Sequence, residues 1–278
     1  MPELPEVERG RKIAEKSAKN ATITDIWIDN DDIVFEQTPP KTIQKALLGR
    51  RVCAVKRHGK QLWFELDRRP WPLFHFGMTG AFLSKAEDAF QLETGPDADR
   101  ATWPPRFAKI RMEFDNGEEL VMVNSRRFGR IRLRDDPENE EPISKLGFDP
   151  LEGLPSTGDF AQMVRQRKGT LKGLLLDQKF AAGVGNWIAD EVLYQSRLSP
   201  RRKANTLSEI ELDTLRAELG AVIRLAVKVN AEKEKFPKDW IFHHRWSKGK
   251  LANTPTGHEI IFEKIAGRTT AWVPEIQK

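Results

Sequence analysis

At 278 residues the chain exceeds the usual single-domain size, and its one cysteine, Cys53, excludes both an intramolecular disulfide framework and a cysteine-based zinc cluster. Forty-six Lys and Arg against 41 Asp and Glu leave a net charge of +5. No stretch approaches the ~18 uncharged apolar residues of a membrane span, and the charged start MPELPEVERGRK lacks a signal peptide's apolar core, so a soluble intracellular protein with no membrane partner is expected.

The first element reads as a helix. Pro5 suits its first turn, Glu3, Glu6 and Glu8 complement the positive end of its dipole, and Val7, Gly10, Ile13 or Ala14, and Ser17 give a small-residue face. Residues 20 to 135 then read as mainly antiparallel β. The segments TITDIWI, RRVCAVKR, QLWFELD, LFHFGMTGAF, AKIRMEF and ELVMVNS are short and β-branched or aromatic, with Asp115-Asn116-Gly117 a hairpin turn between the last two. Polar ETGPDADRATWPP reads as a loop, and the acidic, proline-bearing stretch from 135 to 159 as a domain boundary.

Beyond that boundary, helical spacing governs FAQMVRQR, GTLKGLLLDQ, WIADEVLYQSR and TLSEIELDTLRAELGAVIRLAVKV; Thr206 and Glu209 have capping-box spacing at the start of the last. The chain ends in GHEIIFEKIAGRTTAWVPEIQK, two short strands about a turn at Ala266-Gly267-Arg268. The expected class is α+β. Its expected divisions are a β-rich domain over 1–135, a linker over 136–158, a helical domain over 159–240 and a hairpin over 241–278.

Basic clusters fall at RRVCAVKRHGK, SRRFGRIRLR, RQRKGTLK, PRRK and HHRWSKGK, while acid gathers in EDAFQLETGPDADR and DDPENEEP. Such segregation fits a polyanion, with nucleic acid the first candidate, although any one cluster fits a solvated surface equally well. Between two helices, Gly183-Val184-Gly185-Asn186 lets the backbone turn tightly and offers amide groups at a helix N-terminus, an anion site where Asn186 can cap the helix and donate to phosphate.

The stretch LLLDQKFAAGVGNWIADE resembles the helix–two-turn–helix of the formamidopyrimidine-DNA glycosylase / endonuclease VIII family. The start MPELPEVE and the internal RHGK, HFGMTG and RRFG segments resemble that family's in the same order, so the resemblance spans essentially the whole chain. It implies an N-terminal helix with an antiparallel β-sandwich, then a helical domain with a helix–two-turn–helix and a β-hairpin finger. The partner implied is double-stranded DNA carrying oxidised bases or abasic sites, bound by a monomer in a bacterial cytoplasm and nucleoid or in a nucleus.

The chemistry implied centres on Pro2. With Met1 removed, Pro2 presents an α-amine; a generic α-amino pKa of ~7.7 to 8.0 against ~10.4 for lysine leaves far more free amine at neutral pH. Attack on a sugar C1′ gives an iminium, the electron sink for β,δ-elimination. The resemblance makes Glu3 a general acid/base, Glu6 a support near the bound base, Lys60 a phosphate-contacting catalytic lysine and Lys168 a residue near the damaged nucleotide. Met78, Arg126 or Arg127, and Phe128 are implied to fill the void left by an everted nucleotide, with Asn124-Ser125 replacing the family's Asp-Pro before the arginines. Gly185 and Asn186 are implied to contact phosphate.

Most relatives carry four zinc-binding cysteines in the finger. Here Asn253, Thr256, Val273 and Ile276 stand in their register, so no zinc and no other cofactor is expected. Arg268 is retained at the turn, as in the zincless-finger branch of plants and fungi, and is implied to contact phosphates and assist elimination. The adjacent His243 and His244 would face opposite ways in a strand, and Ile260, Phe262, Ile265, Trp272, Val273 and Ile276 must hold the hairpin by packing. Only NAEKEKFPKDW stands where enzymes that process 8-oxoguanine carry a longer loop, which implies formamidopyrimidines and hydantoins as better substrates than 8-oxoguanine. The alternatives are an endonuclease VIII-like preference for oxidised pyrimidines and a catalytically silent binder of damaged DNA.

Overall fold

Two units divide the chain, Met1–Pro2 with Glu6–Lys145, and Glu3–Pro5 with Leu146–Lys278. The computed structural model describes residues 1–85, 102–246 and 252–278. The acidic stretch 87–100, with the start of the expected loop, and residues 247–250 of the last basic cluster lie outside the described residues.

Helix α1, Leu4–Ala18, contributes all but its first two residues to the first unit. One antiparallel sheet there has the order β1-β6-β7-β5, from Ile23–Ile28, Ala108–Phe114, Glu119–Val123 and Ala81–Ser84. A second has the order β2-β3-β4-β8, from Val52–His58, Gln61–Leu66, Trp71–His75 and Arg130–Arg134. Alternation of side chains aims Ile110, Met112 and Met122 of the first sheet and Phe64, Phe74 and Ile131 of the second into one core, joined by Val7, Ile13 and Ala14 of α1. The result is the sandwich that the sequence implies.

Three details differ from the sequence reading. LFHFGMTGAF is not one strand: β4 ends at His75 and β5 begins at Ala81 in the other sheet, because the chain turns sharply between Phe76 and Gly80, where the Gly80 N–H donates to the Phe76 carbonyl at 2.8 Å. A short helix α2, Pro40–Leu47, was not expected; eight residues that bury only Ile43 and Leu47 leave little periodicity to read. Strand β8 lies within a stretch read only as a basic cluster, since its one fully buried side chain is Ile131.

In the second unit, α3 (Thr157–Arg165), α4 (Leu171–Leu176), α5 (Asn186–Gln195) and α6 (Glu209–Lys228) pack around Leu4, Phe160, Leu175, Ile188 and Leu215. The capping box of α6 sits two residues beyond the expected pair. Ser208 Oγ accepts from the Glu211 N–H and the Glu211 carboxylate accepts from the Ser208 N–H, while Thr206 closes a 3-10 turn, Ala204–Thr206. Residues 187 to 193 of α5 are all buried, so this helix runs through the core.

The terminal hairpin pairs β9, Ile261–Ile265, with β10, Arg268–Trp272. Ala266 and Gly267, both at positive φ, form its two-residue turn, which suits strand twist and leaves Arg268 at the tip. His243 closes a 3-10 turn, Ile241–His243, and is not in a strand; its Nε2 lies 3.1 Å from the Pro237 carbonyl. Among the described residues no helix is long and apolar enough to cross a membrane.

Candidate active site

In the first unit Pro2 is buried and lines a cavity of about 330 Å³, partly open to solvent, together with Glu6, Arg9, Phe76 and Phe82. Lys60 follows Gly59 in the β2–β3 turn and is half-buried. That turn is fixed from beneath. Arg57, whose side chain is wholly buried, donates to the Gly59 carbonyl at 3.1 Å and to Glu8 of α1 at 3.0 Å. Nearby, burial and secondarily the positive field of Lys60, Arg132 and Arg130 push His75 down to about 4, so it is a neutral acceptor at physiological pH; its Nδ1 accepts from the Gly77 N–H at 3.3 Å.

Met78 is half-buried in the turn between β4 and β5, and Arg126, Arg127 and Phe128 are exposed in the loop between β7 and β8. The two loops touch backbone to backbone. A Cβ at Gly77 would lie 2.3 Å from the Phe128 carbonyl carbon, and its φ of +63° would strain any other residue. The arginines differ in employment. Arg127, itself at φ 57, donates twice to Asp31, at 2.9 and 3.0 Å, and the buried Lys109 ammonium lies 2.8 Å from the same carboxylate. Burial works against the charge on Asp31, but these hydrogen bonds outweigh it and hold the carboxyl well below its usual range. Arg126 instead stands over the exposed Phe128 ring, 5.4 Å from its centroid.

In the second unit the expected anion site at the start of α5 is filled by the chain's own carboxylate. Glu3, 2 % exposed, accepts from the Trp187 N–H at 2.9 Å and the Ile188 N–H at 3.1 Å. Gly185 is needed for this fit, since a Cβ there would come within 2.3 Å of the Glu3 carboxyl carbon. The helix cap is Gly185 and not Asn186, so the expected capping role is corrected: Asn186 is the first helical residue, and its side-chain amide donates to the Thr269 carbonyl at 2.8 Å, next to Arg268. Arg268 is exposed at the hairpin turn and Lys168 is exposed between α3 and α4.

Of the residues expected to hold the hairpin, Ile260, Phe262, Val273 and Ile276 pack in one cluster, with Ala271 added, and Ile265 and Trp272 are buried outside it, but the hairpin is held by more than apolar packing. Asp190 of α5, wholly buried, binds Lys172 of α4, accepts from Arg245 at 2.8 Å and from the Ala271 N–H of β10 at 3.3 Å. Burial pulls Lys172 below its usual pKa while Asp190 opposes the shift. Lys172, read from sequence as part of a basic stripe, is thus an interior residue. Glu191, the next residue after Asp190, accepts from the Phe242 N–H at 2.9 Å, and burial pushes it up to about 8. The last residue is tied back too, Lys278 N–H to the Arg197 carbonyl at 3.0 Å and Ser199 N–H to the Lys278 carbonyl at 2.8 Å.

Of the residues expected at the site, Pro2 and Glu6 meet at one cavity, Met78 and Phe128 lie on touching loops, and Glu3 joins Gly185. Sequence reasoning singled out Asn124 only as a departure from the family's Asp, and it missed Arg57, Asp31, Asp190 and Glu191. Only Asp190 and Glu191 carried a signal, as two acids inside an otherwise apolar helix.

Residues 1–131 match the family model described as the formamidopyrimidine-DNA glycosylase N-terminal domain, and residues 146–238 that of its H2TH domain. The chain belongs to the formamidopyrimidine-DNA glycosylase family. The family's formamidopyrimidine-DNA glycosylase of Arabidopsis thaliana is 41% identical over 278 residues, covering 100% of this chain and 71% of the relative. That of Heliobacterium modesticaldum is 32% identical over 294 residues, with 100% of both chains covered. Among solved structures, Lactococcus lactis formamidopyrimidine-DNA glycosylase non-covalently bound to DNA containing an abasic site superposes with a TM-score of 0.80 at 25% identity, over 99% of each chain.

Among the described residues no group of three or more His, Cys, Asp or Glu could hold a metal ion. The positions in register with the family's cysteines are otherwise engaged: Thr256 Oγ1 lies 2.9 Å from Thr254 Oγ1, Asn253 bridges to Glu259, and Val273 is core.

Proposed function

We propose that this family member is a bifunctional DNA glycosylase and abasic-site lyase of base-excision repair, acting as a monomer on oxidised bases in double-stranded DNA, in the nucleoid or the nucleus. One observation carries the reading: the family match reaches both units, and Pro2, the residue that would attack, lies with Glu6 at a cavity. Removal of Met1 frees the Pro2 amine. Its lone pair forms a bond to C1′ as the bond from C1′ to the base breaks, and the proton shed by the amine leaves with the base; the nitrogen then drives open the C1′–O4′ bond, a proton is delivered to O4′, and C1′ becomes the carbon of an iminium. The iminium then acidifies C2′, so that loss of a C2′ proton expels the 3′-phosphate; a second elimination expels the 5′-phosphate, and water releases Pro2.

In this reading Glu3 moves protons at the deoxyribose, its carboxylate held by two backbone N–H groups of α5. Lys60 and Arg268 bind flanking phosphates, Asn186 supports that contact by ordering the hairpin base through Thr269, Gly185 makes room for Glu3, and Lys168 lies along the bound strand. Arg126 is the arginine that meets the orphaned base, because Arg127 is occupied by Asp31. The hairpin is a zincless finger, and the divisions at 135, 158 and 240 belong to the same reading.

Short-loop geometry supports a preference for formamidopyrimidines and hydantoins. The segment after α6 is anchored by Phe236 and Trp240, whose rings stack at 5.0 Å and pack on Trp187, so it stays short and close to the core. Single-turnover rates on duplexes with each lesion test this; 8-oxoguanine excised as fast as the hydantoins defeats it, and faster excision of oxidised pyrimidines favours the endonuclease VIII-like reading. Borohydride reduction with abasic-site DNA tests the chemistry. A covalent adduct that disappears in Pro2→Gly is expected, whereas no adduct from protein lacking Met1 leaves a non-catalytic binder.

A further inference from the structure

Three segments of the first unit converge on one buried side chain. Asn124, 0% exposed, directly follows β7 and begins the loop that carries Arg126 and Phe128. Its Nδ2 donates to the Phe76 carbonyl at 2.9 Å, at the root of the Met78 turn. Its Oδ1 accepts from the Gly129 N–H at 2.9 Å, where the arginine loop returns to the sheet. Its backbone N–H donates to the Phe107 carbonyl at 2.9 Å. A second stitch lies beside it: Thr79, 4 % exposed, receives the Ser125 hydroxyl at 3.1 Å and the Arg126 N–H at 3.3 Å on its own hydroxyl.

This arrangement has a chemical requirement. The side chain at 124 must donate to a carbonyl at one end and accept from an N–H at the other, within a shell so tight that a Cβ on Gly80 or Gly129 would lie 2.8 or 2.9 Å from the Asn124 amide nitrogen. In this chain the primary amide does both at neutral pH, whereas the carboxylate of the family's Asp at this position would accept from Gly129 but face the Phe76 carbonyl lone pairs with another lone pair, so the exchange adds a donor to the lock. We propose that Asn124 is a positioning residue that locks the Met78 turn and the Arg126–Phe128 loop into one rigid wedge, so that the three side chains enter the duplex together. The inference rests on the reading that these three residues fill the void of an everted nucleotide. A wedge whose parts moved separately would lose that concerted entry, and rigid placement of inserted groups is what sustains an unstacked base step.

The test compares Asn124→Leu, Asn124→Asp, Thr79→Val and Phe128→Ala in the full chain. Two signals are read: the fluorescence of 2-aminopurine opposite a lesion as it loses its stacking partner, and excision from duplex divided by cleavage of a single-stranded abasic oligonucleotide by the same preparation. Asn124→Leu should lower both by at least tenfold, and Thr79→Val, which keeps its shape, by a few fold. Asn124→Asp should recover toward wild type as the pH falls, because the protonated carboxyl regains a donor; a purely structural defect would not recover. Wild-type fluorescence and ratio in Asn124→Leu and in Thr79→Val, with Phe128→Ala impaired, overturns the proposal alone. If Phe128→Ala is itself unimpaired, the void-filling reading fails and takes this inference with it.

Discussion

Replacing Asp190 by Asn isolates how the hairpin is held. Lys172 and Asp190 are fully buried and Arg245 nearly so, so the cluster carries two cations and one anion. Asp190→Asn removes the carboxylate that both cations contact directly, leaving Lys172 only the more distant charge of Glu3, and weakens the acceptor for the Ala271 N–H. Removing one partner of a buried ion pair costs about 3–5 kcal/mol. Lys172→Met, in contrast, leaves Arg245 and Asp190 as a balanced pair 2.8 Å apart and removes a costly desolvated ammonium, so its penalty should stay below about 2 kcal/mol. With roughly 2–4 °C of melting temperature per kcal/mol for a chain of this size, Asp190→Asn should lower the transition by about 6–20 °C and Lys172→Met by a smaller amount, below about 8 °C. Calorimetry of the full chain measures both. Strand cleavage should fall with stability in Asp190→Asn, while Arg268→Ala should lower cleavage and leave the melting temperature in place. A melt of Asp190→Asn within about 3 °C of wild type, or a more damaging Lys172→Met, would refute the argument.

Chelation should do nothing. Cleavage in EDTA equal to that in buffer is expected of a hairpin held by Asp190 and apolar packing; loss of activity reversed by zinc would contradict it. Stability should also depend on pH with a sign set by Glu191. Its folded-state value of about 8 lies above the ordinary 4.5, so its contribution is complete below pH 4.5 and is lost as pH rises through 8. Denaturant titrations across that range should show the decline, and Glu191→Gln should flatten it. His75 acts in the opposite sense: with a folded value of about 4 against 6.5, its contribution is complete above pH 6.5 and is lost as pH falls to 4.

The sequence by itself determined the class of fold, the first helix, most of the strands, the α6 periodicity and the Ala266-Gly267 turn, because each is written in local spacing and turn chemistry. It also marked Pro2, Glu3, Lys60 and Arg268 as candidates, because they sit in short motifs that resemble the family's. Tertiary structure alone decided what those motifs touch. That Glu3 fills the α5 N-terminus 184 positions away, that Asp31 occupies Arg127 across 96, and that Asn124 answers Phe76 across 48 are long-range pairings. In the sequence such residues look like ordinary polar surface. A buried polar group must find a partner, and which partner it finds is fixed only when sheets and helices bring distant segments into contact.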